Sequence, residues 1–246
     1  MAYHDRVISL DLFRGVNRRY ALEAVGIGIF FMFLALIVQE MIEGIPDVIF
    51  LIRVHFDLSA MIADLSSIEI RYPILYSLYI GCAAGFIQEG FTYVSVDTRT
   101  RRMAFFIGLG FSVVDIVVLI LSFLLPALEI HNIYGISAAQ GALISLNIIS
   151  SLLFHPGTAT FMKWGQIQKM GRLTYLISSV LHAGIDGGLV YTDIFIILHR
   201  GLYLYTTVIF WSLTIVISVA IFLVGLSKLA STKDEDEFRK EIPVVF

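Results

Sequence analysis

Five titratable side chains stand where the sequence is otherwise fit for a bilayer interior: Glu89, Asp115, His155, His182 and Asp186. Gln88 directly precedes the first of them. Imidazole nitrogen and carboxylate oxygen together can bind a divalent metal and leave a position open for water. Without metal, one carboxylate can act as general base on a water while imidazoles donate hydrogen bonds to the oxyanion. The same groups can also form a satisfied polar network that fixes helix packing or conducts protons. An ionisable group on the lipid face near a helix centre costs about 2.5 to 3.5 kcal/mol, so all three readings turn these side chains toward other helices.

Spacing supports that inward direction. His182 and Asp186 are four residues apart, hence on one helical face. Gln140, Asn147, Ser151, His155 and Thr158 form a polar stripe at helical spacing, with Ser145 off it. Small residues flank the polar positions: Gly81, Ala83, Ala84 and Gly85; Gly108 and Gly110; Gly184, Gly187 and Gly188. They permit close helix approach. Pro156, directly after His155, removes a backbone donor and predicts a kink there.

These residues need long apolar rods to carry them. Hydrophobic residues make up 58% of the 246, and the mean hydropathy is +0.85. Apolar runs recur along the chain, which predicts an all-α, polytopic helical membrane bundle in one compact domain over residues 1–230. The expected spans are Ala21 to Gln39, Tyr72 to Val94, Met103 to Leu125, Ala138 to Met162, Leu173 to Leu198 and Leu202 to Leu229. Pro73 suits a helix first turn and Pro126 a stop. At about 1.5 Å per residue, the depths from the cytosolic helix ends are about 7 Å for Glu89, about 18 for Asp115, about 10 for His155, about 14 for His182 and about 20 for Asp186.

Charge placement predicts the orientation. With a cytosolic amino end, the inner segments hold Arg6, Arg14, Arg18, Arg19, Arg99, Arg101, Arg102, Lys163, Lys169, Arg172, Lys228, Lys233, Arg239 and Lys240. Only Arg53, Arg71 and Arg200 fall outside. This positive-inside bias puts both termini in the cytosol. Met1 to Tyr20 is too polar for a cleavable signal peptide, so the first span is expected to do the targeting. Residues 40–71 mix apolar stretches with Asp57, Asp64 and Glu69, and are expected to form an outer interfacial or lid-like loop. Residues 231–246 form a short charged cytosolic tail. The single cysteine, Cys82, excludes an intrachain disulfide and any cysteine-based cluster.

Gln88-Glu89 with Tyr93, Phe111 to Asp115, His155, and His182 to Asp186 occur in that order. Together they resemble the motifs of the superfamily joining the CAAX-box prenyl-protein proteases, the bacterial PrsW and YhfC proteases, and the anterior-pharynx-defective scaffold subunits of gamma-secretase. The resemblance covers about Tyr72 to Asp193. In the protease members the first glutamate of the pair is taken to activate the attacking water; here that position is Gln88, which cannot be a base. The basic residue that follows the pair is replaced by Thr92 or Tyr93. The scaffold branch, considered non-catalytic, is similar in its Gln-Glu pair and in having histidines on consecutive helices.

The resemblance implies an intramembrane endopeptidase, hydrolysing a membrane-associated protein or peptide in the cytosolic half of the bilayer. Glu89 would be the carboxylate base or a metal ligand, and His155 and His182 ligands or oxyanion donors. Asp115 and Asp186 would orient the histidines, and Gln88 would hold a carbonyl or a water. If a metal is present, zinc on Glu89, His155 and His182 is the expectation. The alternative is an inactive membrane scaffold, using the same cluster to hold helices and partner subunits. A proton-coupled transporter is a third reading, weakened by the absence of repeat symmetry. Membrane lipids are expected partners, nucleic acid is not, and the plasma membrane is the expected location.

Overall fold

The computed structural model describes residue 13, residues 16–129 and residues 138–232. Arg6, Arg14, Lys233, Arg239 and Lys240 of the basic set, and all of the charged tail beyond Thr232, lie outside the described residues. Eight α-helices cover nearly all of the rest: α1 (Arg18–Glu43), α2 (Ile45–Arg53), α3 (Leu58–Arg71), α4 (Pro73–Asp97), α5 (Arg101–Glu129), α6 (Ala138–Ile167), α7 (Gly171–Leu198) and α8 (Tyr203–Ala230). A short 3-10 turn, Arg200–Leu202, precedes α8. Among the described residues there is no strand.

Among the described residues, five helical stretches are long and apolar enough to cross a membrane, beginning with Arg18–Arg53 near the N-terminus. The number becomes six if α3 and α4, bent by 103° at their junction, count as one crossing. Pro73 opens α4, as its missing N–H and fixed φ favour. α5 runs on to Glu129, past Pro126.

Residues 40–71 are helical, where the sequence reading expects a loop. The end of α1 takes up the first of them, and Pro46 sits in the first turn of α2, where its missing N–H costs nothing. Asp57 caps α3, its carboxylate accepting from the Ala60 N–H at 3.0 Å. His55 and Phe56 make the turn between the two helices at positive φ. Neither α2 nor α3 contains a buried residue.

Contacts divide the chain into two compact units. The first comprises residues 1–32, 92–174 and 217–246. Here α5 packs along α6, and glycines let backbones meet: a Cβ on Gly110 would lie 2.3 Å from the Val25 carbonyl oxygen, and one on Gly157 would lie 2.7 Å from the Phe222 nitrogen. Two buried cations of this unit close helix ends. Nζ of Lys163 donates to the Asp97 carbonyl at 3.2 Å, and the Arg101 guanidinium donates to the Thr232 carbonyl. Both suit the negative pole of a helix C-terminus.

The second unit comprises residues 33–91 and 175–216. Its seam joins α4 to α7 through small residues at four-residue spacing, Ser77, Gly81 and Gly85 against Ser179, Ala183 and Gly187. A Cβ on Gly81 would lie 2.4 Å from the Ala183 carbonyl oxygen, and one on Gly85 2.4 Å from the Ala183 nitrogen. Without side chains in between, the two backbones come close enough for polar groups one turn further along to meet.

Candidate functional site

The second unit brings Glu89, His182 and Asp186 together. Glu89, on α4 one turn beyond Gly85, is fully buried. Its Oε1 lies 2.9 Å from Nδ1 of His182 on α7. Nε2 of the same imidazole lies 3.4 Å from Oδ2 of Asp186, one turn further along α7. His182 is therefore held at both ring nitrogens by carboxylates, one buried and one 30% exposed. Oε2 of Glu89 has no hydrogen-bond partner among the described residues. One oxygen of the glutamate is thus oriented and the other is open to a further ligand.

Gln88 faces α1 instead. Its Nε2 donates to Oε1 of Gln39 at 2.8 Å, and Nε2 of Gln39 donates to Oε1 of Glu43 at 2.9 Å. A chain of polar side chains from Gln88 to Glu43 therefore runs beside the carboxylate and imidazole set. Gln39 and Glu43 escaped the sequence reading, which ended the first span at Gln39. Their four-residue spacing at the end of an apolar helix was the available signal.

In the first unit His155 pairs with Asp115. His155, buried on α6, has Nε2 3.7 Å from Oδ2 of Asp115 on α5. That separation is an ion-pair distance rather than a hydrogen bond. The ring of Phe111, one turn before Asp115, lies 6.0 Å from the imidazole. Beside them Oγ of Ser112 donates to the Ser151 carbonyl at 2.7 Å, tying the helices together. A Cβ on Gly108 would lie 2.5 Å from Cα of Pro156 and 2.6 Å from the His155 carbonyl oxygen. The proline remains inside α6. Along the polar stripe of α6, Gln140 is exposed and Asn147 half-buried while Ser151, His155 and Thr158 are buried; Ser145, off the stripe, is exposed.

The donor set of the second unit suits a zinc ion by chemistry. A carboxylate oxygen and an imidazole nitrogen adjoin, and a second carboxylate lies on the other ring nitrogen, the arrangement that fixes the tautomer of a ligating histidine. It equally suits a carboxylate base whose orientation the imidazole sets.

No family model, curated protein or solved structure matches this chain. The resemblance stated above therefore rests on the quoted motifs alone.

Proposed function

We propose that this chain is an intramembrane endopeptidase that hydrolyses a membrane-associated protein or peptide, with Glu89 as the base. One observation carries the reading: a fully buried carboxylate, oriented at Oε1 by His182, has Oε2 without a partner among the described residues. Burying a carboxylate with one oxygen unserved is costly unless a ligand completes it. In the reaction a water oxygen bonds to the scissile carbonyl carbon and passes one proton to Glu89. The carboxyl group then gives that proton to the leaving nitrogen as the C–N bond breaks. His182 holds the glutamate in place, and Asp186 holds the imidazole. His155, steadied by Asp115, is the donor for the oxyanion in this reading, and Gln88 cannot replace Glu89 as a base.

Zinc fits the residues as an auxiliary, with Glu89 and His182 as ligands and His155 the third by the sequence pattern. When bound it would polarise water and carbonyl. The reading includes six crossings, both termini cytosolic and residence in the plasma membrane; the basic residues on the inner segments support the orientation.

The test is direct. Purified protein in liposomes is incubated with a library of single-span peptides, and products are read by mass spectrometry. Cleavage by the native chain that is lost in Glu89→Gln supports the proposal, and cleavage unchanged by that substitution removes it. Metal analysis of the same preparations decides the zinc question.

A second reading, an inactive scaffold, is favoured by a different observation: both nitrogens of His182 are already engaged within the chain. Under it, no cleavage occurs, and His182→Ala releases a co-purifying membrane subunit.

A further inference from the structure

A second fully buried oxygen of the same unit, Oγ of Ser178 on α7, also has no protein partner among the described residues. Some helical serines bond back to the carbonyl four residues earlier, as Ser112 to Gly108, Ser122 to Val118 and Ser145 to Gly141, whereas Ser77, Ser151 and Ser179 do not. Ser178 makes no such bond. Its hydroxyl is therefore left to another partner. It stands one turn before His182 on the same face of the helix.

The antiparallel seam carries that face to Glu89. A Cβ on Gly81 would meet Ala183 and Gly187, and one on Gly85 would meet Ser179 and Ala183. Tyr175 Oη donates to the Phe86 carbonyl at 3.1 Å. Each turn forward on α4 is thus a turn back on α7. Glu89, one turn past Gly85, comes level with the turn of α7 that runs from Tyr175 to Ser179 and holds Ser178, and His182 reaches it from the next turn.

We propose that Ser178 and Glu89 together bind a buried water, hydrogen-bonded to Oγ on one side and to Oε2 on the other. Buried waters characteristically bridge polar groups that have no other partner. The location of this water follows from the two oxygens. Its role as nucleophile rests on the hydrolase reading: Oε2 accepts one hydrogen, and Ser178 orients the lone pair toward the substrate carbonyl. Ser178 is then a positioning residue that the motif pattern does not contain.

High-resolution structures of the native chain and of Ser178→Ala in lipid test the site itself. The expected result is a solvent oxygen at about 2.6 to 3.2 Å from both Oε2 and Oγ, absent in the variant. A Ser178 hydroxyl bonded to the Thr174 carbonyl, or a metal on Oε2 with no water reaching Ser178, overturns the proposal. Peptide hydrolysis tests the role: Ser178→Ala should lower kcat about 10- to 100-fold at unchanged KM, with Ser178→Thr recovering most of it. Native turnover in Ser178→Ala, beside an inactive Glu89→Gln, removes the role of Ser178 and leaves the hydrolase reading intact. A water in place in a chain that cleaves nothing keeps the site and removes the hydrolase.

Discussion

Glu89 on α4 is bound at one carboxylate oxygen by Nδ1 of His182 on α7, 2.9 Å away, beside a seam of glycine, alanine and serine. The small residues and the polar contact depend on each other. Bulky side chains at Gly81 and Gly85 would hold the helices too far apart for a glutamate and a histidine to meet. Without the polar contact, a carboxylate would be buried with nothing to balance it.

Chemistry and stability should separate at this pair. Glu89→Gln keeps an acceptor oxygen for the histidine and removes the proposed base. It should retain most thermal stability in detergent while reducing hydrolysis at least 100-fold. His182→Ala strips the buried carboxylate of its partner and should cost about 3 kcal/mol or more, seen as a lower unfolding midpoint. Equal unfolding losses in the two variants would contradict this assignment.

The seam predicts opposite outcomes for glycines on one helix. Gly187→Ala puts a Cβ only 2.7 Å from the Ser77 carbonyl oxygen, so α4 and α7 must part. Gly184 has nothing within 4 Å of its added Cβ. Gly184→Ala should therefore be neutral or stabilising by about 0.5 to 1 kcal/mol through helix propensity, and Gly187→Ala clearly destabilising. Thermal unfolding of the two variants in one detergent checks it.

The long helices were legible because twenty or so apolar residues leave few alternatives: spans expected at 72–94 and 173–198 appear as Pro73–Asp97 and Gly171–Leu198. Residues 40–71 were misread because their charges argue against a crossing without arguing against a helix, and Asp57 serves as a cap rather than as a loop residue. Within the site, the four-residue step from His182 to Asp186 put both on one face, where they meet at 3.4 Å. The cross-helix meetings of Glu89 with His182 and of Asp115 with His155 were expected from the resemblance, but partners outside those motifs were not legible, since register between helices is set by packing that no local spacing encodes. Gln88 with Gln39, 49 positions apart, is the clearest case.

That glutamine pair bears on the departure from the protease pattern. Gln88→Glu would restore a glutamate pair, but it replaces the donor that serves Oε1 of Gln39 with an acceptor. Gln39 must then turn its amide and give up the bond to Glu43. The variant should unfold about 1 to 3 kcal/mol more easily, and Gln39→Glu should not rescue it. On the hydrolase reading, cleavage should stay at or below the native rate, because that reading makes Glu89 the base. A large gain in turnover would show instead that position 88 is the natural seat of the base.

The pair in the first unit depends on a backbone contact more than on its own weak ion pair. Ser112→Ala loses one interhelical hydrogen bond, which in membrane bundles is worth about 0.6 kcal/mol on average. Gly108→Ala should cost more, because the added Cβ meets backbone atoms of Pro156 and His155 that cannot rotate aside. α5 must retreat from α6 at the level of His155, and the 3.7 Å approach of Asp115 to the imidazole lengthens. If His155 serves the oxyanion, hydrolysis by Gly108→Ala falls further than its unfolding midpoint predicts, while Ser112→Ala keeps the two losses in proportion. Measuring turnover and unfolding on the same three preparations, native and both variants, decides whether the histidine on α6 is chemical or structural.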